Sequence, residues 1–149
     1  MKQNLFSRVL VSSLIVASVI PFSLDAQCDK FVKKKCMPKI LPFTHNGQFN
    51  GSTMAAGKNA EFNMTFSAGQ AYRILVCAEP VLGDVAFKVL DQSRKVLYDS
   101  KQNDYTDFWD FKMKNTQQLI VQVDVPASAS SSSTPPSGCV SVMVGFKKD

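Results

Sequence analysis

A chain of 149 residues with 17 Lys and Arg against 12 Asp and Glu carries a formal charge of +5. That mild excess bears on solubility and excludes the dense basic signature of a nucleic-acid binder. If residues 1–26 are removed on export, Lys2, Arg8 and Asp25 go with them, and 15 basic residues face 11 acidic ones in a chain long enough for a single domain with a real core.

Residues 1–26 have the three parts of an export signal: a basic start (Lys2, Arg8), an apolar stretch over 9–22, and small residues near a cut site. Ser12, Ser13, Ser18 and Pro21 interrupt the apolar stretch, which falls short of the roughly 20 apolar residues that span a bilayer. The reading is a cleaved signal peptide with no transmembrane anchor, and a protein exported to the periplasm or secreted to the cell surface. Cutting after Ala26 leaves Gln27 first, free to cyclise. A lipid-modified Cys28 would want a small residue before it and an aliphatic one three before, where Gln27 and Asp25 stand.

Residues 27–57 read as a basic N-terminal segment. Lys30, Lys33, Lys34, Lys35 and Lys39 crowd around Cys28 and Cys36, either as a solvated charged edge or as a contact for anionic lipid, lipopolysaccharide or polysaccharide. Stretches 39–43 and 47–51 are candidates for an edge strand or two, and no sustained helical period is expected after Ala26. Together with Cys77 and Cys139, these cysteines make an even set of four in a chain sent to an oxidising compartment, which favours disulfides. Of three pairings, the favoured one joins Cys28 to Cys36 across a short lysine-rich loop and Cys77 to Cys139. The second of these closes a long loop, a contribution of about 4 kcal/mol in the chain-entropy model. A zinc site competes weakly, with no C-x-x-C pair and His45 as the one histidine.

From 58 to 149 the chain reads as strands. Phe62, Met64 and Phe66 alternate with Glu61, Asn63 and Thr65, the pattern of a half-buried strand. A turn at 68–70 leads into Tyr72, Ile74 and Val76, and a turn at 80–84 into Val85, Phe87 and Val89. A hairpin loop at 91–94 returns through 96–99. Trp109, Phe111 and Met113 share a face, as do Leu119, Val121, Val123 and Val125, and then Val140, Val142, Val144 and Phe146. The Ser- and Pro-rich stretch 127–138 is a surface loop. Connections this short leave no room for crossover helices, so the sheets are antiparallel. Seven or eight short strands, each with one apolar face, bury those faces best as two packed sheets: an all-β, jelly-roll-like sandwich.

The run from Phe62 to Phe146 includes Phe-Ser-Ala-Gly-Gln-Ala-Tyr-Arg-Ile at 66–74, Val-Ala-Phe-Lys-Val-Leu-Asp at 85–91, Val-Leu-Tyr-Asp-Ser at 96–100 and Phe-Trp-Asp-Phe at 108–111. It resembles the bacterial pre-peptidase C-terminal domain, a small jelly-roll sandwich of exported proteins. The resemblance implies a non-catalytic module at the cell surface or in the secreted fraction.

No constellation of residues amounts to an active site, and neither an enzyme nor a cofactor is expected. His45 sits in a polar Thr-His-Asn-Gly turn with no nucleophile nearby in sequence. Glu79, Asp104, Asp107 and Asp110 read as solvated turn carboxylates before a hydrolytic pair. The most suggestive stretch for a ligand is Tyr105, Asp107, Trp109 and Asp110, since aromatic faces stack on sugar rings and carboxylates take sugar hydroxyls. If Trp109 and Phe111 point inward, they are core instead. No calcium loop motif is present and no metal is expected. Asn50-Gly51-Ser52 and Asn63-Met64-Thr65 fit the glycosylation pattern, which matters only in a eukaryotic source. The expectation is therefore a binding or adhesion module for a glycan or an envelope protein. The alternative is a structural envelope protein docking through its basic segment or a sheet edge.

Overall fold

The alternation over 59–66 folds as expected into a strand that turns Ala60, Phe62, Met64 and Phe66 inward and Asn59, Glu61, Asn63 and Thr65 to solvent. In the computed structural model, residues 24–128 and 133–147 are described. Residues 1–23 of the expected signal peptide, and 129–132 of the Ser-rich loop, lie outside them. Among the described residues eight strands follow one another: β1 (Thr44–Ala55), β2 (Asn59–Phe66), β3 (Ala71–Ala78), β4 (Ala86–Leu90), β5 (Val96–Asp99), β6 (Phe108–Lys112), β7 (Gln117–Asp124) and β8 (Ser137–Lys147).

The strands form two four-stranded sheets, ordered β1-β8-β3-β6 and β2-β7-β4-β5, with every pairing antiparallel. Consecutive strands thus mostly fall in opposite sheets, the jelly-roll arrangement of an all-β sandwich. Between the sheets, Phe66, Ile74, Phe87, Leu119, Val121, Val123 and Val142 are almost wholly buried. Each such side chain contributes roughly 1.5–3 kcal/mol relative to exposure. The turn glycine Gly69, at φ +80°, takes a backbone conformation that a side chain would strain, and lets β2 return as β3.

Two expectations for 27–57 are corrected. The stretch begins in a helix, α1 (Leu24–Phe31), continued by a π-helical turn (Val32–Cys36) and a 3-10 turn (Met37–Ile40). Stretch 39–43 is not a strand, whereas the second candidate, 47–51, does lie in an edge strand, β1, which pairs with β8 from Thr44 to Ala55 with a shift of register between His45 and Phe49. The helical run has a physical signature: Cys28, Val32, Cys36 and Ile40, spaced by four, all face inward at 3% exposure or less. They pack on Leu75, Cys77, Cys139 and Met143 of the outer face of the first sheet and form a second core there.

The disulfide pairing follows from that packing and corrects the favoured one. Cys28 bonds Cys139 and Cys36 bonds Cys77, with Cα separations of 5.2 and 5.8 Å. Cys28 and Cys36 lie two helical turns apart on the same face, about 12 Å along the axis at 1.5 Å per residue, too far to bond each other. Both therefore reach down to the sheet, to β8 and β3.

Candidate binding surfaces

The four residues singled out for ligand contact, Tyr105, Asp107, Trp109 and Asp110, sit in the loop before β6 and on β6 itself, and most of their chemistry is committed within the chain. Trp109 is half-buried and stacks on Tyr98 of β5 (5.3 Å, 16° between planes) and on Phe111 (4.3 Å, 19°). This aromatic ladder, continued by Phe87 against Tyr98 and Phe66 against Phe111, closes the β5–β6 side of the sandwich. Asp110 accepts two hydrogen bonds from the Arg73 guanidinium at 2.7 Å. Asp107 pairs with Lys39 at 2.6 Å. Only Tyr105, at 46% exposure, presents a ring to solvent.

Arg73 ties the helical segment to the sheet. Besides Asp110 it donates to the carbonyls of Lys39 and Leu41, at 3.2 and 2.7 Å, and its guanidinium lies over the rings of Phe43 and Phe108. The hydrogen bonds that Arg73 donates to Asp110 hold its pKa above the ordinary guanidinium value, against the opposing effect of burial. A fork of donors that engages a carboxylate, two carbonyls and two ring faces is a role a lysine could not fill. Gly145 of β8 completes the dock. A Cβ there would come within 2.7 Å of Phe43 and 2.8 Å of Ile40, so only glycine lets the segment lie this close.

The consequence is a divided basic patch. Lys39 is drawn into its pair with Asp107, while Lys30, Lys33, Lys34 and Lys35 are exposed, and none of the ion pairs among the described residues engages them. Lys30 lies in α1 and Lys33, Lys34 and Lys35 lie in the π-helical turn, all four exposed. Cys28 and Cys36 of the same segment are buried and carry the disulfides. Four cationic side chains are thus mounted on backbone fixed at Cys28 and at Cys36.

A different surface lies where the sandwich is open. β1 and β2 are the edge strands of the two sheets, and between them runs a cleft of about 520 Å³ floored by core residues such as Tyr72 and Phe146. Sequence reading missed it because it belongs to two strands that do not pair. His45 lies at the start of β1, its Nδ1 accepting from the Gly47 amide at 3.2 Å. Among the described residues no three His, Cys, Asp or Glu side chains gather where a metal ion could sit, and no helix is long and apolar enough to cross a membrane.

No protein-family model matches the chain, and no curated protein matches it in sequence. Among solved structures it is similar to Aeromonas hydrophila PliG, a periplasmic lysozyme inhibitor of g-type lysozyme. The TM-score is 0.48 and the identity 12%, over 67% of this chain and 85% of that one. It is also similar to a de novo designed double-stranded β-helix, with a TM-score of 0.32 and 12% identity over 67% of this chain and 99% of that one. At these scores the likeness carries no functional argument. The fold and its cross-links define the class on their own terms: a jelly-roll sandwich with a basic helix riveted to one outer face by two disulfides.

Proposed function

We propose that this chain is an exported, non-catalytic binding module of a cell envelope, and that it grips an anionic envelope glycan through Lys30, Lys33, Lys34 and Lys35. The observation that carries the reading is the fixing of those lysines between two disulfides, since a cationic surface held in place binds without the ordering cost of a loose tail. Export is supported by the leader-like residues 1–26 and by cysteines paired as in an oxidising compartment. The non-catalytic reading is supported by the commitment of Asp107 and Asp110 to Lys39 and Arg73. The resemblance to the pre-peptidase C-terminal domain enters as a shared jelly-roll plan.

Phosphate- and carboxylate-bearing sugars are the complementary chemistry, because lysine ammonium groups meet such oxygens as strong point charges. The test titrates the purified protein, disulfides intact, with lipopolysaccharide and with a dephosphorylated preparation of it. Saturable binding to the first, weakened by salt and lost in K30Q/K33Q/K34Q/K35Q, supports the reading. A folded protein that binds neither, or a variant that binds as well as the parent, overturns it.

A second reading has its own observation. β5 is an edge strand, and Val96 and Leu97 on it are 47% and 40% exposed, which suits docking to a protein partner by strand addition. Val96→Lys would abolish capture of such a partner and leave glycan binding intact.

A further inference from the structure

The two open sides of a sandwich are treated differently in this molecule. On the β5–β6 side, Tyr98 and Trp109 stack across the gap. On the β1–β2 side the gap stays open as the cleft of about 520 Å³, within the range of small-molecule sites. β1 is irregular beside the opening. Between His45 and Phe49 the strand advances four residues while β8 advances two, from Gly145 to Met143. That bulge, with Gly47 at φ +85°, interrupts the pairing of β1 at the mouth of the cleft. Bulges of this kind re-aim strands and recur beside binding sites.

The lining has a consistent chemistry. Asn46 and Asn50 come from β1, Asn63 from β2 and Gln70 from the turn that follows, so primary amides line the cleft from the edges of both sheets. Asn50 and Asn63 are exposed. The amide of Gln70 is oriented by the Tyr72 hydroxyl, which donates to its Oε1 at 2.7 Å and accepts from the Ser67 amide at 3.0 Å. Beneath them the floor is apolar, with Phe146 and Met64 half-buried. None of the described residues lining the cleft is charged.

Amides both donate and accept, as sugar hydroxyls do, and an apolar floor takes the C–H face of a sugar ring. An uncharged lining gives no counter-ion to a phosphate, a carboxylate or an amine, so a charged ligand would lose hydration with no ion pair in exchange. The geometry points to a binding site for a neutral saccharide in the β1–β2 cleft, separate from the lysine surface and going beyond the reading given for it.

The test uses the full protein with disulfides intact, made in a bacterial host so that Asn50 and Asn63, each opening an Asn-x-Ser/Thr triplet, carry no glycan. Proton–nitrogen spectra follow the side-chain amides during titration with mono- and disaccharides of glucose, galactose, mannose and N-acetylglucosamine. Saturable shifts at the amides of Asn50, Asn63 and Gln70, with affinity reduced about tenfold or more in N50A/N63A, are expected. The quadruple lysine-to-glutamine variant should bind the same sugar unchanged, so failure of the lysine reading leaves this one standing. No saturable shift from any of the sugars, or shifts that persist in N50A/N63A, would overturn the proposal.

Discussion

Removing one disulfide at a time distinguishes the observed pairing from the alternative the sequence favours. Cys28 and Cys139 are 111 residues apart and Cys36 and Cys77 are 41 apart. In the chain-entropy model these loops are worth about 4.8 and about 3.9 kcal/mol. The second loop is nested in the first, so their joint effect is smaller than the total. C28A/C139A should therefore lose roughly 4–5 kcal/mol in urea denaturation, a fall of roughly 15–20 °C in Tm for a chain of this size. C36A/C77A should lose somewhat less. Were Cys28 joined to Cys36, that short loop would be worth only about 2.5 kcal/mol. The sharper readout is chemical. Cys28→Ala, unfolded without reductant and alkylated, should yield a modified Cys139 peptide. A modified Cys36 peptide instead would refute the pairing and, with it, the helical dock on the first sheet.

Three further outcomes follow from the packing. Gly145→Ala must push Phe43 and Ile40 aside; a loss of about 1–3 kcal/mol is expected, with hydrogen exchange rising first over 37–43. Ser141 is fully buried on β8 and its Oγ has no hydrogen-bond partner among the described residues. Ser141→Ala should accordingly be neutral or stabilising by up to about 1 kcal/mol, and a clear loss in urea midpoint would contradict this. Tyr98 has its pKa raised, chiefly by burial, and its hydroxyl donates to the Phe108 carbonyl at 3.3 Å. A raised folded pKa means its contribution is whole below the ordinary tyrosine value near 10 and is lost as pH rises through the folded value. Denaturation midpoints should thus fall on the alkaline side, less steeply in Tyr98→Phe, and equal alkaline slopes would refute the assignment.

β2, β3, β7 and β8 were legible because the inward residues of each are those the period of two selects. β1 was harder. Its apolar residues are Phe49 and Met54, an odd number apart and so on opposite faces. Phe49 packs under the helix and Met54 in the main core, while the bulge at 46–48 breaks what alternation remains. The helix was present in the sequence as Cys28, Val32, Cys36 and Ile40 at intervals of four. Its polar face, filled with lysines, draws attention to charge instead of to period. Asp107 and Asp110 looked available for ligands because their partners, Lys39 and Arg73, are 68 and 37 residues away. Only the fold brings them together.

On the proposed reading, the position of the lysines, and not total charge, governs glycan binding by the basic helix. The measurement compares K30Q/K33Q/K34Q/K35Q with a charge-matched variant, K58Q/K95Q/K101Q/K114Q, whose lysines are exposed elsewhere, in titrations with lipopolysaccharide at fixed ionic strength. At about 0.5–1 kcal/mol per lysine, the helix variant should bind roughly 30- to 1000-fold more weakly, and the charge-matched variant should stay within a few-fold of the parent. Equal losses in the two variants would contradict the claim, because they would reduce the attraction to net charge alone.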